Sequence, residues 1–267
     1  MDYLKVILLA ITQGLTEFLP ISSSGHLVLA SEIFGIKYPG ITMEVFLHFG
    51  TFLSVLVVFR KEIQKILFAF FKNFWKLTNY RKNMKNDEYF ALSIYMLIAM
   101  IPAGIVGVFF KDFFESLFQN INAVGIALII TGTVLFLTQW AENKNKKFNL
   151  WKSIVIGLVQ AVAIIPGISR SGSTISTGLF LGIEKKKVAR FSFILALPLV
   201  FGATILETKN IIGVSAIDWR PILLGTIIAF ITGYYAIKWI LYSLLKGKFY
   251  IFSYYCVLLG FIVLTFN

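Results

Sequence analysis

Gln13-Gly14-Leu15-Thr16-Glu17-Phe18-Leu19-Pro20-Ile21-Ser22-Ser23-Ser24-Gly25-His26 interrupts an otherwise apolar N-terminal stretch. How this interruption is read decides the fold. Proline cannot continue a helix, and three serines followed by glycine suit a turn and a helix N-cap. Residues 3–36 therefore read as helix, break, helix. The leg after the break, 25–36, has 12 residues. At 1.5 Å per residue it covers about 18 Å, short of a hydrocarbon core of about 30 Å. A segment of this kind enters and leaves a membrane on one face, as a re-entrant hairpin. Non-helical backbone at that depth is tolerated only where protein shields it or it lines a wet cavity.

A second interruption, Pro166-Gly167-Ile168-Ser169-Arg170-Ser171-Gly172-Ser173-Thr174, breaks the apolar stretch 151–183 in the same way. A shift of 147 residues places Ile21-Ser22-Ser23-Ser24-Gly25 on Ile168-Ser169-Arg170-Ser171-Gly172, Gln13 on Gln160, and Gly35-Ile36 on Gly182-Ile183. Each cluster opens on a proline, offset by one residue. The second leg, 172–183, again has 12 residues, so it too reads as re-entrant.

Around these hairpins the chain is 58% hydrophobic and only 14% charged, with a mean hydropathy of +0.81. Soluble domains run at about 45–50% apolar and about 25% charged, so a soluble globule and a disordered chain are both excluded. Six further apolar stretches, 43–59, 90–110, 122–140, 191–206, 221–240 and 249–266, are of crossing length or nearly so, and period-2 alternation is absent. Charge fixes sidedness. Residues 60–90 carry net +5, and 141–152, 184–190 and 238–248 carry +3 each, whereas 32–44, 111–121 and 207–219 carry −1 each. Six crossings with two re-entrant hairpins put every basic connection on one side. Basic loops are cytoplasmic, so both termini face outward. The net charge of +12 is thus largely topological and gives no nucleic-acid footprint. The expected fold is an all-α polytopic integral membrane protein of one domain, 1–267. It comprises six transmembrane helices plus two re-entrant helix-loop-helix hairpins in an inverted-topology repeat (about 1–140 and 150–267). No signal peptide is expected, because Glu17 lies inside the first apolar stretch and no small-residue cleavage site follows it. Cys256, the single cysteine, excludes an intrachain disulfide and reads as a packing residue.

Inverted repeats built on broken helices place their binding site near the midplane, at the repeat interface. Gln13 and Glu17 lie four apart and share a helix face. Helix N-termini are anion sites, and here two converge. Arg170 adds a planar fork that matches phosphate oxygens. An ionisable group at a helix centre costs about 2.5–3.5 kcal/mol, so Glu17 and Arg170 are candidate functional groups. A purely structural Glu17–Arg170 ion pair is the plain alternative, and it leaves the surrounding hydroxyls unexplained. Carboxylate, histidine, hydroxyls and arginine make a phosphoryl-transfer set with a serine nucleophile. No G-x-S-x-G elbow for acyl transfer is present. A diphosphate ester brings roughly −2 to −3 and an ionised Glu17 a further −1, against +1 from Arg170 and about +0.5 from each helix end. A divalent cation closes that gap, held by Glu17 with Gln13 as a neutral oxygen ligand. His48, four residues after Glu44, reads as a polar interhelical contact or a support for the site. Pro102-Ala103-Gly104 and Gly107 read as a lipid-facing groove or as ordinary small-residue packing.

The Gln13-x-x-x-Glu17 pair, Pro20-Ile21-Ser22-Ser23-Ser24-Gly25-His26 and Pro166–Thr174 together resemble the undecaprenyl pyrophosphate phosphatase family, bacterial membrane enzymes associated with bacitracin resistance. The resemblance covers nearly the whole chain. It implies cleavage of undecaprenyl diphosphate to undecaprenyl phosphate and inorganic phosphate, recycling the lipid carrier for cell-wall glycans. It also implies dependence on Mg²⁺ or Ca²⁺ and a site open to the outer face of the plasma membrane. Many members carry Glu where this chain has Gln13, so acid–base work and anionic metal ligation fall to Glu17.

On this basis Ser23 attacks the terminal phosphorus, with Ser22 as the alternative nucleophile and direct water attack left open. His26 takes the serine proton or protonates the leaving group, and Glu17 orients His26 or holds the metal. Arg170 stabilises the phosphoryl oxygens. Ser22, Ser24, Gly25, Ser169, Ser171, Gly172, Ser173 and Thr174 are the expected phosphate-binding residues. The expected partners are a polyprenyl diphosphate and the membrane, with a homodimer as a compatible assembly. The rival function is a transporter or flippase of polyprenyl phosphate, or of another anion, using the same midplane site.

Overall fold

The breaks fall where the prolines and serines put them. In the computed structural model, which describes residues 3–33, 41–75, 80–142, 144–211 and 218–266, α1 (Tyr3–Thr16) stops just before Glu17, and α2 (Ser23–Ile33) starts at the serine run. The second break repeats this with α9 (Leu150–Val162) and α10 (Arg170–Phe180). Each of α2 and α10 has 11 residues, about 16 Å of helix. Ser169 caps α10, accepting from the Gly172 N–H at 3.0 Å. Ser22 accepts from the Gly25 N–H at 3.3 Å, the same cap one repeat earlier. Ser22 adopts φ +70°, a left-handed conformation unusual for a non-glycine residue. Gly35 and Ile36 lie outside the described residues.

Between the breaks run α3 (Ile41–Val58), α4 (Arg60–Phe74), α5 (Tyr80–Asn86), α6 (Glu88–Phe109), α7 (Lys111–Phe118) and α8 (Ile121–Leu137). After the second break come α11 (Lys185–Ile211), α12 (Trp219–Leu245) and α13 (Phe252–Phe266). Among the described residues no strand forms, and one isolated bridge joins Lys146 to Ile183. Among the described residues four helical segments are long and apolar enough to cross a membrane: Glu88–Phe109, Ile121–Trp140, Trp219–Leu245 and Phe249–Phe266. A fifth arises if Thr42–Val58 and Arg60–Phe74, bent by 82° at their junction, count as one span. The chain is therefore an all-helical, multi-pass membrane protein. The stretch 191–206 lies inside the 27-residue α11. The described residues of the basic connection 60–90 are largely helical, forming α4 and α5. Its charges dilute an apolar stripe of helical period.

The packing pairs each half with the other. The first leg α1 lies against α12, and α9 lies against α6; α8 packs on α13, and α3 on both α11 and α12. Small residues allow these approaches. A Cβ on Gly157 of α9 would sit 2.5 Å from the Ala99 carbonyl oxygen of α6. On Gly14 of α1 it would sit 2.8 Å from the Ala229 carbonyl oxygen of α12. Phe18, buried in the first break, meets Phe193 of α11 edge-on, with ring centroids 5.7 Å apart, and this contact anchors the non-helical turn in the core.

Candidate active site

The two breaks touch each other. A Cβ on Gly25 would meet the Gly167 backbone at 3.1 Å, and one on Gly172 would meet the Pro20 ring at 3.2 Å. Under the 147-residue shift, position 20 falls on 167 and 25 on 172, so the two contacts are reciprocal. Each loop is also held by the last long helix of one half. Thr131 of α8 donates to the Gly167 carbonyl at 2.9 Å and accepts from the Ser169 N–H at 3.1 Å. Cys256 of α13 lies 3.7 Å from the Pro20 carbonyl oxygen. Ser171 Oγ donates across the junction to the Leu19 carbonyl at 3.3 Å.

At this junction Glu17 is buried and multiply engaged. Its Oε2 accepts from Ser23 Oγ at 2.7 Å and from Gln13 Nε2 at 3.0 Å. Its Oε1 accepts from Arg170 Nη2 at 2.5 Å. His48 Nδ1 lies 3.4 Å from Oε2 and 2.9 Å from Gln13 Nε2. On the other edge of the ring, His48 Nε2 lies 4.0 Å from Glu44. Arg170 Nη1 and Gln13 Oε1 are buried without a hydrogen-bond partner. A spare guanidinium donor and a spare amide acceptor are costly in a protein interior, and their chemistry suits an anion and a cation or donor respectively.

A cavity of about 220 Å³ opens over this cluster. Its polar side consists of Thr16, Glu17, Ser22–Ser24, His48, Ser169 and Arg170. Its apolar side is formed by Ala163, Ile164, Ile168, Ala196, Leu199 and Val200. The N-termini of α2 and α10 both border it, with their positive dipole ends inward.

Of the residues expected from sequence, Glu17, Ser22, Ser23, Ser24, Ser169 and Arg170 share the cavity. Gln13 lies behind Glu17, fully buried. His26 is placed elsewhere. Its Nδ1 is 2.7 Å from the Ser22 carbonyl, its Nε2 is 2.7 Å from the Tyr255 hydroxyl, and its ring stacks on Tyr255. It fastens the strained Ser22 turn and does not line the cavity. Gly25 and Gly172 serve close approach, and Ser173 is buried outside the cavity lining. Ser171 and Thr174 spend their hydroxyls within the protein, Thr174 on Arg170 O at 2.8 Å and Ser192 Oγ at 2.6 Å. Sequence reasoning missed Tyr255 and the α11 wall altogether, and it left His48 undecided.

Among the described residues no three His, Cys, Asp or Glu side chains group as a metal cage. The donors present are a carboxylate, the unpartnered Gln13 oxygen and serine hydroxyls. These are hard oxygen ligands, a donor set that would fit a Mg²⁺ or Ca²⁺ ion.

A family model described as bacitracin resistance protein BacA matches residues 6–262. The undecaprenyl-diphosphatase of Halothermothrix orenii is 43% identical over 269 residues, covering 99% of this chain and 98% of the relative. Those of Methanobrevibacter smithii and Desulforapulum autotrophicum are 41% and 39% identical, each covering 98% of this chain and 97% of the relative.

Proposed function

The chain belongs to the bacitracin resistance protein BacA family, and from that membership we propose that it hydrolyses undecaprenyl diphosphate to undecaprenyl phosphate and inorganic phosphate at the cavity over Glu17. One observation carries the reading. An amphiphilic cavity presents a serine bonded to a carboxylate, beside an arginine with one guanidinium nitrogen unpartnered, and faces an apolar wall. A lipid diphosphate has the matching two ends. The product feeds the pool of lipid carrier for cell-wall glycans.

In the proposed step Ser23 Oγ attacks the terminal phosphorus and its proton passes to Glu17 Oε2, 2.7 Å away. The anhydride P–O bond breaks, and undecaprenyl phosphate leaves. Arg170 keeps Nη2 on Glu17 and turns Nη1 to the phosphoryl oxygens, with the ends of α2 and α10 adding positive potential. Water then hydrolyses the phosphoserine, returning the proton held on Glu17. His26 holds the Ser22 turn that presents Ser23. Glu17 and Gln13 would hold Mg²⁺ or Ca²⁺, which when bound neutralises diphosphate charge.

The topology that goes with this reading is six crossings and two re-entrant hairpins, arranged as two inverted repeats. The supports are the reciprocal Gly25–Gly167 and Gly172–Pro20 contacts, the paired caps and the exchange of α1 and α9 between halves. Loop charge supports a cytoplasmic basic side, with the site toward the outer face of the bacterial plasma membrane.

The test is phosphate release from undecaprenyl diphosphate by purified protein in detergent, with a quench for labelled phosphoserine. Release that falls with Ser23→Ala, with Arg170→Ala and with a chelator is the expected result. Tight binding of the lipid without release would overturn the enzymatic reading in favour of a carrier.

A further inference from the structure

Helix α4 turns 82° from α3 at Phe59, so it runs across the bundle and not along it. With 3.6 residues per turn its side chains fall into three sectors of about 120° each. Ile66, Ala69 and Asn73 are buried, in the sector that packs on α6, and Asn73 Nδ2 donates to Asp87 Oδ2 at 3.0 Å. Leu67, Phe71, Phe74 and Trp75, 50%, 64%, 40% and 79% exposed, fill the second sector over its C-terminal two-thirds, and exposed Arg60 and Gln64 stand at its N-terminal end. Lys61, Lys65 and Lys72 form the third, with Phe68 at its edge.

The charge along this edge is unbalanced. The segment 60–90 has three carboxylates, and each is already engaged. Glu62 pairs with Arg190 at 3.4 Å, and Glu88 with Lys187 at 2.9 Å. Asp87 caps α6 through the Tyr89 and Phe90 N–H groups. Lys65 and Lys72 lie over aromatic rings, Tyr89 and Phe68, with no carboxylate within 4 Å among the described residues. Helix α5 continues the strip with Arg81, Lys82 and Lys85, which border a recess of about 490 Å³.

A helix lying crosswise at the end of a membrane bundle, with an exposed aromatic face 120° from a cationic one, has the form of an interfacial helix. The apolar sector sinks among acyl chains, and the lysines meet headgroups. Clusters of four to eight basic residues beside a membrane span attract anionic lipid. We propose that α4 and α5 form a docking surface for anionic phospholipid headgroups on the basic side of the membrane domain, distinct from the Glu17 cavity. The occupant is a lipid phosphate. Free phosphate would satisfy the lysines and leave the exposed aromatic sector uncovered.

Trp75 reports on the surface. The protein is reconstituted in vesicles of equal phosphatidylglycerol and phosphatidylcholine, with bromine on the acyl chains of one lipid or the other. The quenching that disappears in Trp75→Phe isolates this residue. Brominated phosphatidylglycerol is expected to quench Trp75 roughly threefold more than brominated phosphatidylcholine, since each surface lysine favours anionic lipid. The combined Lys61→Gln, Lys65→Gln, Lys72→Gln, Arg81→Gln, Lys82→Gln, Lys85→Gln variant should bring the ratio to about one, as expected once the charges of both helices are gone. Equal quenching in the parent protein overturns the proposal, as does no quenching by either lipid, or a preference that survives the sixfold variant. Phosphate release in detergent checks the variant's fold and stands apart from the lipid readout. If the variant loses release, the ratio in the parent protein decides.

Discussion

Replacing Glu17 by glutamine separates the proposed proton-accepting role of this carboxylate from its ion pair with Arg170. The side chain keeps its shape but loses its charge and its power to accept the Ser23 proton, now 2.7 Å away. Loss of a positioned general base costs about 10²–10⁴ in rate, or about 3–5 kcal/mol of barrier. Folding suffers separately, because the Arg170 guanidinium loses its counter-charge. Breaking a buried pair costs about 3–5 kcal/mol. The low end applies because the Arg170 side chain is 20% exposed to the cavity and the amide oxygen still accepts from it. About 3 kcal/mol lowers the melting temperature by about 6–12 °C in a chain of this size. Turnover is followed as phosphate release, and unfolding with a thiol-reactive dye. Cys256 is the only cysteine and is fully buried, so the dye reports one site. Glu17→Gln combined with Arg170→Met should regain much of the lost melting temperature and none of the turnover. If Glu17→Gln alone keeps more than a tenth of the parent rate, the carboxylate does not take the serine proton.

Tyr255→Phe keeps the stack on His26 and removes the hydroxyl 2.7 Å from Nε2. The expected result is a stability loss of about 1 kcal/mol and a kcat several-fold lower at unchanged KM, and a rise in KM alone would place His26 on the substrate. Gly157→Leu drives a side chain into the Ala99 backbone and should cost upward of about 1–3 kcal/mol, read as a lower melting temperature with proportionate loss of activity; an unshifted melting curve would refute the close α9–α6 contact. Gln13→Glu adds a second carboxylate beside Glu17 and should lower half-saturating Mg²⁺ roughly tenfold, about 1.4 kcal/mol; an unchanged Mg²⁺ titration would remove position 13 from the metal shell.

The parts of this site that could be read from sequence were those written locally. Pro20, the serine run and Gly25 specify a broken helix and its cap through short-range sterics and hydrogen bonds, and Ser169 and Gly172 repeat the specification. Glu17 and Arg170 announce themselves by the cost of placing charge in apolar segments. What the sequence hides is the direction of side chains contributed by distant helices. His48 reaches the cavity from α3, and Tyr255 takes His26 from α13, 229 residues away. His26 stands beside Ser23 in sequence, yet its ring folds back on the Ser22 carbonyl. Helix α4 was masked for a different reason. A hydropathy scan averages its lysines with its phenylalanines, whereas the helical period separates them.

Because α1 rests on α12 and α9 rests on α6, each half of the chain holds an arm that belongs against the other. The halves are clasped and cannot be finished one at a time. During synthesis α1 can rest on α2 and α3 but lacks its main neighbour until α12 has been made, more than 200 residues later, and until then Gln13 and, just beyond the helix, Glu17 sit in an unfinished setting. Maturation of the catalytic pocket is thereby deferred to the last steps of assembly, and a chain truncated before α12 would retain Ser23 and Arg170 without the support that brings them together.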